Sequence, residues 1–203
     1  MRKAEDQNEQ EKNYRGKINE KRLNIKGAVE MTHERKTVDQ QMADLFHNFG
    51  KKGEDAPWLY RIWDTNQKFV FPKDGSLQAA PRSSNSEDHF VAVTPNRALD
   101  ESKRPIFMGT KDKKYVLNVK SGDQPQLQLV AGDIMDLYKK KQQSVEFTFY
   151  NQTRGSEVTC SFESAASPGW FLSTASESNK PLGLSQGGGS DITLFYIEKI
   201  KSE

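Results

Sequence analysis

His33, His47 and His89 are the chain's three histidines and Cys160 its one cysteine, so imidazole and thiol chemistry rest on these four side chains. No two histidines stand at the spacing that grips a metal ion from one helix or strand. A lone cysteine completes neither an intramolecular disulfide nor a multi-cysteine zinc site. Serines and aspartates are abundant, yet no Gly-x-Ser-x-Gly elbow presents a nucleophile. Gly187-Gly188-Gly189 lacks the Lys-Ser/Thr pair and the following helix of a phosphate cradle, and suits a hairpin tip better. Cys160 lies in the alternating run Val158-Thr159-Cys160-Ser161-Phe162, which predicts a small buried hydrophobe rather than a reactive thiol. The expectation is a protein with no cofactor, no metal and no catalytic constellation. It binds; it does not react.

The remaining chemistry belongs to surfaces. Lys139-Lys140-Lys141 is either a solvated loop or a contact for sulfated glycans or an acidic patch. Net charge is +2, which gives no strong field for nucleic acid or an anionic membrane. Asn151-Gln152-Thr153 has the form of a glycosylation acceptor. The opening residues, Met1 to Glu9, lack the apolar segment of a secretory signal. The expectation is therefore synthesis in the cytosol, no use of that acceptor, and export by an unconventional route if the protein acts outside the cell. Trp63 and Trp170 read as packing residues, and Trp58, at the edge of the ordered region, suits an interface.

Two regions must position these groups. Apolar residues make up 34% of the chain and mean hydropathy is −0.85, but the polar residues are concentrated in residues 1–55. That segment alternates acids with bases and contains no proline, and it predicts a flexible charged tail. Val38–Phe46 carries some helical character, read as a nascent turn within the tail, with a docking helix as the other reading. From residue 56 to 203 the pattern predicts an all-β domain. Twelve runs are expected as strands: Leu59–Trp63, Lys68–Phe71, Leu77–Ala80, His89–Val93, Ile106–Thr110, Tyr115–Val119, Gln126–Val130, Val145–Tyr150, Val158–Ser164, Trp170–Thr174, Leu182–Ser185 and Ile192–Ile197. Gly132–Tyr138 departs from this as a helical turn capped by Asp133. Twelve strands divide into three fours, as in a β-trefoil, although spacing alone also admits a sandwich.

Phe162 to Thr174 shows the local logic best: a strand ending at Ser164, a turn through Pro168-Gly169, and a second strand. Phe162, Ser164, Ala165, Pro168, Phe171, Leu172, Ser173 and Thr174, then seven residues and Leu182, match the interleukin-1 family signature at every fixed position. Gly122–Leu129 with Asp133–Tyr138 resembles the central segment of the interleukin-36 cytokines. Thr94–Asp100 with Pro105–Gly109 is similar to the interleukin-36 receptor antagonist and interleukin-38, and Leu194–Glu198 to the family's last strand. The resemblance spans residues 58–200.

It implies a monomeric β-trefoil cytokine that binds an interleukin-1-type receptor and recruits an accessory receptor chain. By analogy the receptor contacts are Trp58, Tyr60, Asn96, Arg97, Leu99, Asp100, Lys139, Lys140, Gly188, Ser190 and Asp191. It further implies trimming by a processing protease nine residues before an aliphatic-x-Asp motif. Ile62-Trp63-Asp64 fits that motif, so cleavage is expected at Lys52–Gly53, with Asp55–Ala56 as the rival bond. The Asn96–Asp100 loop leans towards the family's antagonists. The short Gly187–Thr193 loop and the long removable tail lean towards an inflammatory agonist, the expectation adopted. The alternatives are a receptor antagonist of the same family and a glycan-binding trefoil module.

Overall fold

Short runs rich in β-branched and aromatic residues, cut by turn residues, do form strands, thirteen of them among the described residues. The structure, a computed structural model, describes residues 35–53, 55–83 and 89–200. All but Arg35 of these belong to one compact unit, Lys36–Glu203. Strands β1 (Trp58–Asp64), β4 (Val91–Pro95), β5 (Pro105–Gly109), β8 (Thr148–Thr153), β9 (Thr159–Ser164) and β13 (Phe195–Lys199) pair antiparallel in turn. Strand β13 pairs back onto β1, so the six close a barrel with no free edge among them.

Three hairpins cover one end of the barrel: β2 (Lys68–Lys73) with β3 (Ser76–Pro81), β6 (Tyr115–Lys120) with β7 (Gln126–Ala131), and β10 (Phe171–Ser173) with β12 (Gly183–Ser185). Each hairpin joins a barrel strand at the same place, through Trp63 and Phe69, Gly109 and Val116, and Glu163 and Phe171. The outcome is a β-trefoil, with a two-residue strand β11 (Lys180–Pro181) bonded to β3 as an addition. Those joints also show why the sequence carries no visible repeat. They make Ile62, Met108 and Phe162 equivalent, and all three are buried in the interior. The core requires a summed volume, not the same residue three times.

Local chemistry sets the turns. Asp74 and Gly75, both with positive φ (51° and 75°), make the two-residue loop between β2 and β3. At the signature turn, Gly169 has φ of 82°, and its N–H donates to Glu163 Oε1 at 2.9 Å. Ser164 Oγ accepts from the Ser167 N–H at 3.1 Å, and Ser164 N–H donates to the Trp170 carbonyl at 2.8 Å. Phe162, Ser164, Leu172, Ser173, Thr174 and Leu182 are buried. Ala165 and Phe171 are half-buried, and Pro168 is exposed at the bend. The signature therefore builds the fold.

Several strand boundaries move: β4 runs Val91–Pro95 rather than His89–Val93, and the two largest shifts lie at β8 and β13. Val145–Phe147 is a 3-10 turn rather than the start of a strand, and β8 begins at Thr148. Thr148 Oγ1 donates to the Ser144 carbonyl at 2.8 Å, which holds the turn against the alternation of its apolar residues. Ile192 makes a single bridge to Thr174, and the last strand runs Phe195–Lys199. Asp133 does cap a helix, α2 (Ile134–Lys140), accepting from the Met135 N–H at 2.8 Å.

The tail expectation needs correction. Residues 1–34 lie outside the described residues, but Val38–Asn48 is an α-helix, α1, packed on the β-body. Thr37 caps it through a full capping box with Gln40. Val38, Met42, Leu45 and Phe49, spaced four, three and four apart, are each buried. The boundary drawn at residue 55 therefore falls inside the folded unit. The burial of one apolar stripe offsets the ordering cost that the charged composition suggested would prevail.

Candidate binding surface at the barrel end

The barrel end away from the hairpins is formed by the start of β1, the β4–β5 and β8–β9 connections, and the end of β13. Helix α1 is bonded to each of these except β1, which it meets by packing. Its first turn is held by Val38 N–H donating to the Glu157 carbonyl at 2.9 Å. Its middle is held by Gln41, which donates through Nε2 to the Ile197 carbonyl at 2.9 Å and accepts the Lys199 N–H at 3.1 Å. At its C-terminal end Arg97 donates to the carbonyls of Phe46 (2.8 Å) and Phe49 (3.2 Å), where a helix leaves carbonyls without partners. Phe49 then meets Trp58 and, edge to face at 4.9 Å, Tyr138 of α2.

Charge complements this packing. Arg104 and Thr153 both donate to Asp39 at 2.5 Å. The Thr153 hydrogen bond first, then the Arg104 guanidinium, hold the Asp39 carboxyl below its ordinary value. Burial pulls the Asp44 carboxyl up, but Asn48, Lys199 and Lys36 outweigh it and leave the carboxyl lowered. Lys199 lies 3.5 Å from Asp44 and also over the Trp58 ring. In the adjoining strand β1, Tyr60 is 1% exposed, its hydroxyl without a hydrogen-bond partner among the described residues. Burial first, and the Asp44 charge second, push that phenol well above its ordinary value.

The expected receptor contacts divide. Arg97 and Trp58 both meet Phe49 at the end of α1, and Lys139, exposed on α2, pairs with Asp55 in the joint before β1 at 3.4 Å. Leu99 is half-buried, while Asp100 is exposed and caps a 3-10 turn by accepting from the Ser102 N–H at 3.0 Å. Lys140 is exposed on α2. Gly188, Ser190 and Asp191 are exposed on the loop entering β13 at its hairpin end, far along the barrel from α1. Two of the expected contacts are buried in this structure: Tyr60 is 1% exposed, and Asn96 is 2% exposed, tying the β4–β5 connection to Gln143 and Thr148 at 2.7 and 2.9 Å.

The processing residues divide as well. Lys52, Gly53, Asp55 and Ala56 are exposed, so both candidate bonds lie on the surface between α1 and β1. Ile62, Trp63 and Asp64 are buried. Asp64 accepts from the N–H groups of Asn66 and Lys68, both at 2.9 Å, and from the Thr174 hydroxyl at 2.6 Å. Its position therefore explains itself as a clasp between the first lobe and the signature strand. Cys160 is buried, its thiol pushed up to about 12 by burial, and Asn151 is buried beside it, out of reach of glycan transfer in the folded chain.

Among the described residues no group of three or more His, Cys, Asp or Glu could hold a metal ion, and no helix is long and apolar enough to cross a membrane. Sequence reasoning held a docking helix over Val38–Phe46 only as its second reading. Its signals were present: a Thr-x-x-Gln box followed by an apolar stripe.

Comparison with known proteins agrees with the architecture. The family described as Interleukin-1 / 18 matches residues 82–197. Interleukin-1 family member 10 of Mus musculus is 39% identical over 142 residues, covering 68% of this chain and 92% of the relative. The interleukin-36 receptor antagonist protein of Homo sapiens is 40% identical over 147 residues, covering 69% and 94%. Among solved structures, interleukin-36alpha superposes with a TM-score of 0.59 at 33% identity, covering 72% of this chain and 96% of that one. Chicken interleukin 1 beta gives 0.57 at 26% identity, covering 70% and 96%. A match of this extent, along nearly the whole length of such relatives, makes this chain a member of the interleukin-1 family of cytokines.

Proposed function

We propose that this protein is an extracellular ligand of an interleukin-1-type receptor pair of the interleukin-36 kind, made in the cytosol and exported unconventionally. It works through its outer face. The observation that supports this reading is the meeting of Trp58 and Arg97 on Phe49 at one end of the barrel, with Lys139 paired to Asp55 in the adjoining joint. The barrel interior, by contrast, is filled with apolar side chains and offers no converging acid and base. Trimming at Lys52–Gly53, or at Asp55–Ala56, severs the joint between α1 and the trefoil, and departure of α1 then clears that end for a receptor. The trimmed form is then the agonist that recruits the accessory chain.

A second reading, receptor antagonism, is favoured by the relatives named as receptor antagonist proteins, among them the human protein at 40% identity. The test is a reporter-cell assay using full-length protein and protein starting at Gly53, each with and without an established interleukin-36 agonist. Signalling by the Gly53 form alone supports the agonist. Suppression of the added agonist supports the antagonist. Silence in both arms, with no binding to receptor ectodomains, would overturn the receptor reading.

A further inference from the structure

We propose that the open barrel end is a docking site for an amphipathic helix, filled in cis by α1, and that α1 stays docked as a separate piece after the joint to β1 is cut. The docking itself stands on the geometry alone; only its consequence for signalling rests on the receptor reading above.

Most of what holds α1 in place does not pass through the joint. Val38, Met42, Leu45 and Phe49 are buried against the body. Gln41 makes a two-way clasp with the backbone of β13, and Arg97 and Arg104 grip the two ends of the helix from the β4–β5 connection. Within the joint, Lys51, Lys52, Gly53, Asp55 and Ala56 are exposed, and Gly50 turns the chain with φ of 81°. Cutting an exposed segment removes the tether and leaves the contacts. Tethering raises the local concentration of a docked element to about the millimolar range for short linkers, so cutting weakens docking without abolishing it.

Once the joint is cut, only side-chain packing and hydrogen bonds hold α1, so a helix with the same apolar stripe can replace it. For the receptor reading, cleavage then becomes only the first of two steps. Trp58 and Arg97 stay engaged by the severed helix until it leaves.

The test inserts a specific protease site between Lys52 and Gly53 of the full chain and follows the cut protein by native mass spectrometry and size exclusion. The expected result is co-migration of the N-terminal piece with the trefoil, and its replacement by a labelled peptide of residues 35–52. A Leu45→Asp or Gln41→Ala peptide should bind at least about tenfold more weakly, since each loses one of these contacts. Placing the changes on the peptide keeps the folding of the body out of the measurement. Immediate separation of the N-terminal piece from a still-folded body would overturn the proposal. So would unfolding of the body as the piece leaves, or equal binding by the variant peptides. Because no receptor is present in this experiment, its failure is distinguishable from failure of the receptor reading.

Discussion

At the level of single residues, two buried groups set measurable limits. The Asp64 carboxylate is wholly enclosed and paired with Lys68 at 3.4 Å as well as with its three hydrogen-bond donors. Replacing it leaves the Lys68 ammonium, 3% exposed, without its carboxylate. Asp64→Ala is expected to destabilise the fold by about 3–5 kcal/mol, the range for breaking a buried ion pair from one side. Urea unfolding monitored by tryptophan fluorescence measures this, and a loss under about 1 kcal/mol would contradict the clasp. Cys160 makes the second case. Its thiol is raised because burial disfavours the thiolate, so almost none of the reactive form exists at pH 8. Disulfide-exchange labelling of the native protein at pH 8 is expected to wait for unfolding. Rapid stoichiometric labelling would show an accessible thiol.

Element α1 responds to acid for a reason that can be signed. The folded-state carboxyls of Asp39 and Asp44 sit below their ordinary value of 3.8. Groups lowered on folding stabilise above the unfolded value, and lose that contribution as pH falls below it towards the folded one. Hydrogen exchange in α1, corrected for intrinsic rate, should therefore accelerate as pH falls through 3.8 and below it, relative to exchange in β9. Asp39→Asn should flatten the change; an unaltered profile would dissociate the Arg104 and Thr153 contacts from helix docking. The same element shows how much was legible. The capping box and the apolar stripe of α1 lie within one short stretch of sequence, from Thr37 to Phe49. What outweighed them was composition averaged over a window far longer than the helix. Val145–Phe147 erred in the opposite way, because a correct alternation was overruled by a turn fixed from Thr148 and Asn96.

For the whole molecule, the barrel is closed by β-pairing that does not involve α1, whereas α1 adds four large buried side chains to it. A protein starting at Gly53 is expected to fold cooperatively but to unfold at lower urea than one starting at Lys36. Burial of apolar side chains is worth about 1.5–3 kcal/mol each as an upper bound, before the cost of ordering the helix is subtracted. Leu45→Ala in the longer protein should recover about 2–5 kcal/mol of that difference. Equal midpoints for the two lengths would mean that α1 contributes nothing to the body.

By itself the sequence determined the turn chemistry, the alternating strands and the family signature, because each depends on residues within a few positions of one another. Ser164, Gly169 and Asp74-Gly75 act on their neighbours and could be read directly. Only the tertiary structure decided which surface residues meet. Gln41 and Ile197 are 156 positions apart, and Asp39 and Thr153 are 114. No local pattern encodes such pairs, since they arise once the barrel has closed and its strand ends stand side by side. That closure buries Tyr60 and Asn96, and offers the surface on which α1 packs where composition had presented a tail.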